Sequence, residues 1–173
     1  MILLIVDTQK QIVTNKLYAY DQFIENVSTL IREARKHDIE VIYIRHDDGP
    51  NEELTFGKPG FEIDDHFQPI PGEKIFDKDV NSAFRDTGLL AYLQEKQETQ
   101  IIIAGLQTDF CIDATVKCGF EHHFQMIVPA YANTTVNNAY MGGEETYHYY
   151  NEMMWKDRYA KCLSMEEVIA IMK

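Results

Sequence analysis

The stretch Gln100-Ile101-Ile102-Ile103-Ala104-Gly105-Leu106-Gln107-Thr108-Asp109-Phe110-Cys111 decides how this chain folds. Its first part, Gln100–Ala104, is a short apolar run that stops in polar and turn residues, the pattern of a strand buried on both faces. Its last part opens a helix, predicted over Asp109–Gly119, with Gly119 as a plausible C-terminal stop. A buried strand feeding a helix is half of a βαβ unit.

The same unit repeats on either side. Further buried strands are predicted at Ile2–Val6, Val41–Ile44, Lys74–Phe76, Gln125–Val128 and, more weakly, Ala160–Leu163. Helices alternate with them. Phe23, Val27, Leu30, Ile31 and Ala34 recur at three- and four-residue spacing, one apolar stripe from about Asp21 to His37. Thr87–Lys96, Glu144–Asp157 and Ser164–Met172 follow, the last with Ser164 and Glu167 spaced for a capping box. Such alternation predicts an α/β fold with a parallel sheet and helices on both faces. With 173 residues the chain fits one domain, 1–173, around one sizeable core. Asp47–Gly72 departs from the pattern. It is rich in Gly and Pro, shows no clear strand, and reads as a pocket wall or lid, or else as a surface excursion.

Composition removes several classes of function. The net charge of −12 argues against nucleic acid, which needs a basic face, and against anionic membrane surfaces. Met1–Val6 is apolar, but Asp7 ends it far short of a signal or membrane span. The three cysteines, Cys111, Cys118 and Cys162, are odd in number and lack C-x-x-C spacing, so a disulfide framework or zinc site is not expected and a reducing cytoplasm fits. No cofactor is implied.

In open α/β sheets the ligand crevice lies beyond the carboxyl ends of the strands. Three reactive residues follow strands there: Asp7, Lys78 and Cys111. Cys111 falls in the first turn of its helix, with Thr108 or Asp109 as N-cap. Free N–H groups and the helix dipole there favour a thiolate and could hold an oxyanion. The competing reading is a small buried hydrophobe, which is also the reading for Cys118 and Cys162. Asp7 is either a general base or half of a structural Asp–Lys pair. Among the six histidines, His122 and His123 point different ways, and His46-Asp47-Asp48 is a polar cluster without a D-x-H pair, so no metal site is expected.

Three segments together match a family: Asp7-Thr8-Gln9 after the first strand, Lys78-Asp79-Val80-Asn81-Ser82-Ala83-Phe84, and Gly105-Leu106-Gln107-Thr108-Asp109-Phe110-Cys111. In this order and spacing the chain resembles the isochorismatase-like cysteine hydrolases, which include nicotinamidases and N-carbamoylsarcosine amidohydrolases. The resemblance runs from Ile2 to about Val136. It implies a three-layer, Rossmann-like, mostly parallel six-stranded sheet of order 3-2-1-4-5-6. It also implies that Cys111 attacks a carbonyl, that Asp7 takes its proton, and that Lys78 orients Asp7. Backbone N–H groups of Gln107 and Cys111 would form the oxyanion hole, next to a cis peptide at Leu106–Gln107. The reaction would cleave a small amide-type bond through a thioester, in a homo-oligomer, dimer or tetramer. Two departures matter. Nicotinamidases carry a D-x-H metal pair where this chain has His46-Asp47-Asp48, and isochorismatase proper lacks the nucleophilic cysteine. The alternatives are a silent binding or scaffold protein, an isochorismatase-type hydrolase of another bond, and a redox role for Cys111. Gln9, Asp47, Phe84, Phe110 and Tyr131 are the expected substrate-binding residues, although Phe84 and Phe110 could be core. The aromatic crowd from Tyr147 to Trp155 reads as core or subunit interface.

Overall fold

Ile2–Val6 (β1) offers five apolar residues in a row, and every one is fully buried. A strand with no polar face must be covered on both sides, the situation at the centre of a parallel sheet. In the computed structural model, which describes residues Met1–Lys173, β1 lies between Glu40–His46 (β2) and Gln100–Leu106 (β4), parallel to both. Lys74–Lys78 (β3) pairs with β2 on one flank. Gln125–Pro129 (β5) pairs with β4 on the other, and Ala160–Leu163 (β7) pairs with β5. The order is β3-β2-β1-β4-β5-β7, and all pairings are parallel. Chain order reverses between β1 and β4, which makes their carboxyl ends the switch point.

Alternation along the strands builds two cores. Leu3, Ile5, Val41, Tyr43, Ile102 and Ile127 face Tyr20–Lys36 (α1) through Phe23, Val27, Leu30, Ile31 and Ala34, the stripe read from spacing. Met165–Ile171 (α5) joins this face through Val168, and its start is closed by the Ser164–Glu167 capping box. Ile2, Leu4, Ile42, Ile101, Ile103 and Met126 face the other way. They pack on Leu89 and Leu93 of Leu89–Glu95 (α2), on Val116 of Asp113–Glu121 (α3), and on Trp155. The three layers follow from period-two strands between helices. No helix is long and apolar enough to cross a membrane.

Gly105 is required where it stands. Its φ is 129°, and a Cβ there would lie 1.9 Å from the Val6 carbonyl oxygen. Only glycine lets β4 approach β1 this closely beside Asp7.

The structure differs from the sequence reading in four places. The sheet has seven strands rather than six, because Asn133–Thr134 (β6) pairs with the end of β4. Those two residues are polar yet buried, so no apolar run marks them. β3 extends through Lys78, which is the last strand residue rather than two beyond it. The helix expected at Asp109–Gly119 is a wide turn over Thr108–Ile112 followed by α3. The helix expected at Glu144–Asp157 is Gly143–His148 (α4) followed by a second wide turn, Tyr149–Met154. In both wide turns an N–H reaches back five residues, Ile112 to the Gln107 carbonyl and Trp155 to the Tyr150 carbonyl. Trp155 ends fully buried, its indole N–H donating to Asp113 at 2.8 Å.

Candidate active site

The ends of three strands, β1, β3 and β4, deliver the reactive groups. Asp7 follows β1 directly in a left-handed conformation, φ 53°, with its N–H bound to the Ile44 carbonyl of β2. Lys78 closes β3, and Cys111 lies in the wide turn after β4. All three are buried, at 2%, 4% and 8% exposure.

The Lys78 ammonium sits between three acceptors. It lies 2.7 Å from Asp7 Oδ2, 2.9 Å from His46 Nδ1 and 3.3 Å from Cys111 Sγ. An ammonium has three N–H bonds, and each has a partner here. With Nδ1 accepting, the imidazole proton sits on Nε2, which faces Asp48 at 3.0 Å. Asp7, His46 and Cys111 offer donor atoms within 4.8 Å of one another, a spacing that could hold a metal ion. That space is taken by the buried ammonium itself, which serves the same donors as a resident cation.

Protonation follows from this burial. Desolvation pushes Asp7 above the ordinary carboxylate value, and the Lys78 charge pulls against it. Burial, then the Asp7 charge, pushes the Cys111 thiol up to about 12, against the pull of Lys78. Burial therefore works against the thiolate that a helix start would favour, and Lys78 works for it. Neither Thr108 nor Asp109 caps a helix. The Thr108 hydroxyl donates to Asn133 Oδ1 at 2.8 Å, and Asp109 Oδ1 accepts from the Thr135 hydroxyl at 2.6 Å. Asp7 Oδ1 is buried and has no partner, because Lys78 engages the other oxygen.

A cavity of about 170 Å³ opens on this group. Asp7, His46, Asn81, Gln107 and Cys111 form its polar part, and Ile12, Leu54 and Phe110 its apolar wall. The Leu106–Gln107 peptide at its edge is cis. Asn81 Oδ1 stands 3.7 Å from the sulfur.

Of the expected substrate-binding residues, Phe110 alone lines this cavity; it is 52% exposed. The other four do not line it. Gln9 is fully buried and spent on structure: its amide donates to the His46 and Phe61 carbonyls and accepts from the His46 N–H. Phe84 packs under α3, stacked on Phe124 at 5.8 Å. Asp47 caps the turn at Gly49 and faces a separate cleft. Tyr131 stacks on Tyr147 at 4.8 Å, at the wall of another cavity. The Asp47–Gly72 segment does reach the site, through Leu54, and is pinned to the fold by buried Phe61, Ile63 and Phe67. Sequence reasoning missed His46 as a partner of Lys78, as well as Ile12, Leu54 and Asn81. His46 ends β2 as Asp7 follows β1, so the strand-end rule applied to it equally. Asn81 stood inside the second motif.

The isochorismatase domain model matches residues 1–167, and the chain belongs to the isochorismatase family. It is 29% identical over 151 residues to the uncharacterized isochorismatase family protein YrdC of Bacillus subtilis, covering 84% of this chain and 80% of that one. It is 30% identical over 80 residues to an N-carbamoylsarcosine amidase of Arthrobacter sp, covering 46% of this chain and 30% of that one. A family hydrolase structure from Chromobacterium violaceum superposes with a TM-score of 0.92 at 23% identity, over 99% of this chain and 92% of that chain. The protein is an isochorismatase-family hydrolase with amidohydrolase relatives.

Proposed function

We propose that the chain is a cysteine amidohydrolase that cleaves a small, non-peptide C–N bond through a thioester on Cys111. The observation that carries this reading is the Lys78 ammonium in contact with both the Asp7 carboxylate and the Cys111 sulfur. A buried carboxylate and a buried thiol with a cation between them make a coupled pair across which one proton can pass.

As Cys111 Sγ attacks the carbonyl carbon, its proton passes to Asp7 Oδ1, the oxygen that Lys78 leaves free. Lys78 offsets the negative charge building on sulfur. Backbone N–H groups of Gln107 and Cys111, both at the cavity wall, would receive the oxyanion. Collapse breaks the C–N bond, and Asp7 returns its proton to the departing nitrogen. The remaining thioester is attacked by water, which loses its proton to Asp7. The acid leaves and the thiol regains the proton.

The test is a panel of small amides assayed with Cys111→Ala and Asp7→Asn. Loss of hydrolysis in both variants is expected. Full activity in either would overturn the assignment.

A further inference from the structure

We propose that the substrate carries no negative charge: it is a small uncharged amide with a short apolar substituent. This rests on the hydrolase reading of Cys111 and adds what the surrounding charges select.

A carboxylate on the substrate is held most strongly by a cation with a free donor. None is present at this cavity. Lys78 has no exposed side-chain surface, and its three N–H bonds are committed to Asp7, His46 and Cys111. No arginine and no other lysine lines the cavity. Two further basic side chains are engaged elsewhere, Arg45 with Asp77 and Glu62, and Lys10 with Asp65.

The surroundings are acidic instead. Asp48 stands behind His46 at 3.0 Å. Asp47, Asp77, Asp79 and Asp86 line a second cleft together with Lys78 and Arg85. An anion entering beside Asp7 would meet this field without a partner, in a site of low dielectric. Opposite the sulfur, Ile12, Leu54 and Phe110 offer an apolar wall that rewards an alkyl group and penalises any charge. The same field acts on the product. Hydrolysis turns an uncharged acyl group into a carboxylate, which the acidic surroundings expel.

Alkylation of Cys111 reads this selection without turnover. Iodoacetamide and iodoacetate differ only in the charge of the arriving group. Peptide mass spectrometry on the intact protein would follow each rate at Cys111, with Cys118 in the same chain and free cysteine as references. Cys118 removes the effect of the overall −12 charge. The preference for iodoacetamide at Cys111 is expected to exceed that at Cys118 by about tenfold and to persist at high salt, where exposed charges are screened. A preference at or below that of Cys118 would overturn the proposal. Butyramide and succinamate then form a substrate pair in which a methyl group is replaced by a carboxylate. Butyramide is expected to have the higher kcat/KM by about tenfold, and an equal or better succinamate would overturn the proposal. Hydrolysis of butyramide by Cys111→Ala would sink the hydrolase reading alone, since the alkylation ratio does not depend on it.

Discussion

Two cavities in this molecule have a cysteine in the wall, and only one of them has chemistry around it. The cavity of about 170 Å³ at the β1–β4 switch point holds Cys111. The cavity beside β5 and β7, about 230 Å³, holds Cys162 with Tyr131, Tyr147 and Asn151. Burial pushes both thiols up, to about 12 and about 11. The difference lies in what stands next to the sulfur. Cys111 has a buried carboxylate from the end of neighbouring β1 and an ammonium from the end of β3. Cys162 feels only Lys156 and Asp157. Size and burial therefore do not make a nucleophile. The switch point differs in gathering the ends of three strands around one sulfur, the setting on which the proposed nucleophile rests.

The comparison breaks first on the two cysteines themselves. Cys111→Ala is expected to lower kcat/KM for a small amide by about 10³–10⁶-fold, while Cys162→Ala leaves it unchanged. Equal losses would erase the distinction. Asp7→Asn, which keeps the shape and removes the base, is expected to cost about 10²–10⁴-fold in kcat. In the wild-type protein the acid limb of kcat/KM should fall above the ordinary carboxylate range, since burial raises Asp7. Activity is lost as pH falls through that raised value, because the protonated carboxyl cannot accept the thiol proton. A pH profile checks this.

The Lys78 network sharpens the contrast. His46→Gln or Asp48→Asn should lower kcat by about tenfold to 10²-fold through a misplaced ammonium. KM should change less, and the denaturant midpoint and the active fraction titrated at Cys111 should stay at wild-type values, which a folding defect would not allow.

The smallest effect separates the two thiols by stability. Both are raised above 9.0, so the native state holds their protons more tightly than the unfolded chain does. The stability they contribute is complete below 9.0 and is lost as pH rises through the folded values of about 11 and about 12. Denaturant midpoints from neutral to alkaline pH should fall along that window. Cys162→Ala should remove the Cys162 share of the slope and leave that of Cys111.

Much of this was legible in sequence because apolar runs and helical spacing are local signals. The stripe Phe23 to Ala34 packs as its spacing dictates, and Ser164 closes its capping box with Glu167. Asp7, Lys78 and Cys111 were found by asking which reactive residues follow strands. What stayed hidden depends on partners far along the chain. The wide turn at Thr108–Ile112 is tied down by Asn133 and Thr135, and β6 is two polar residues that gain their burial only beside β4. Gln9 stands two residues beyond Asp7 after the same strand, yet its amide turns to the His46 backbone. Position after a strand reveals the neighbourhood of a side chain and leaves its direction open.

The most direct test of the central claim is mass spectrometry of the protein quenched during turnover of a small uncharged amide. The account predicts an acyl mass shift on the peptide carrying Cys111, absent from the peptides of Cys118 and Cys162 and absent in Asp7→Asn. Turnover with an acyl group on another residue, or undiminished turnover in Cys111→Ala, would contradict it.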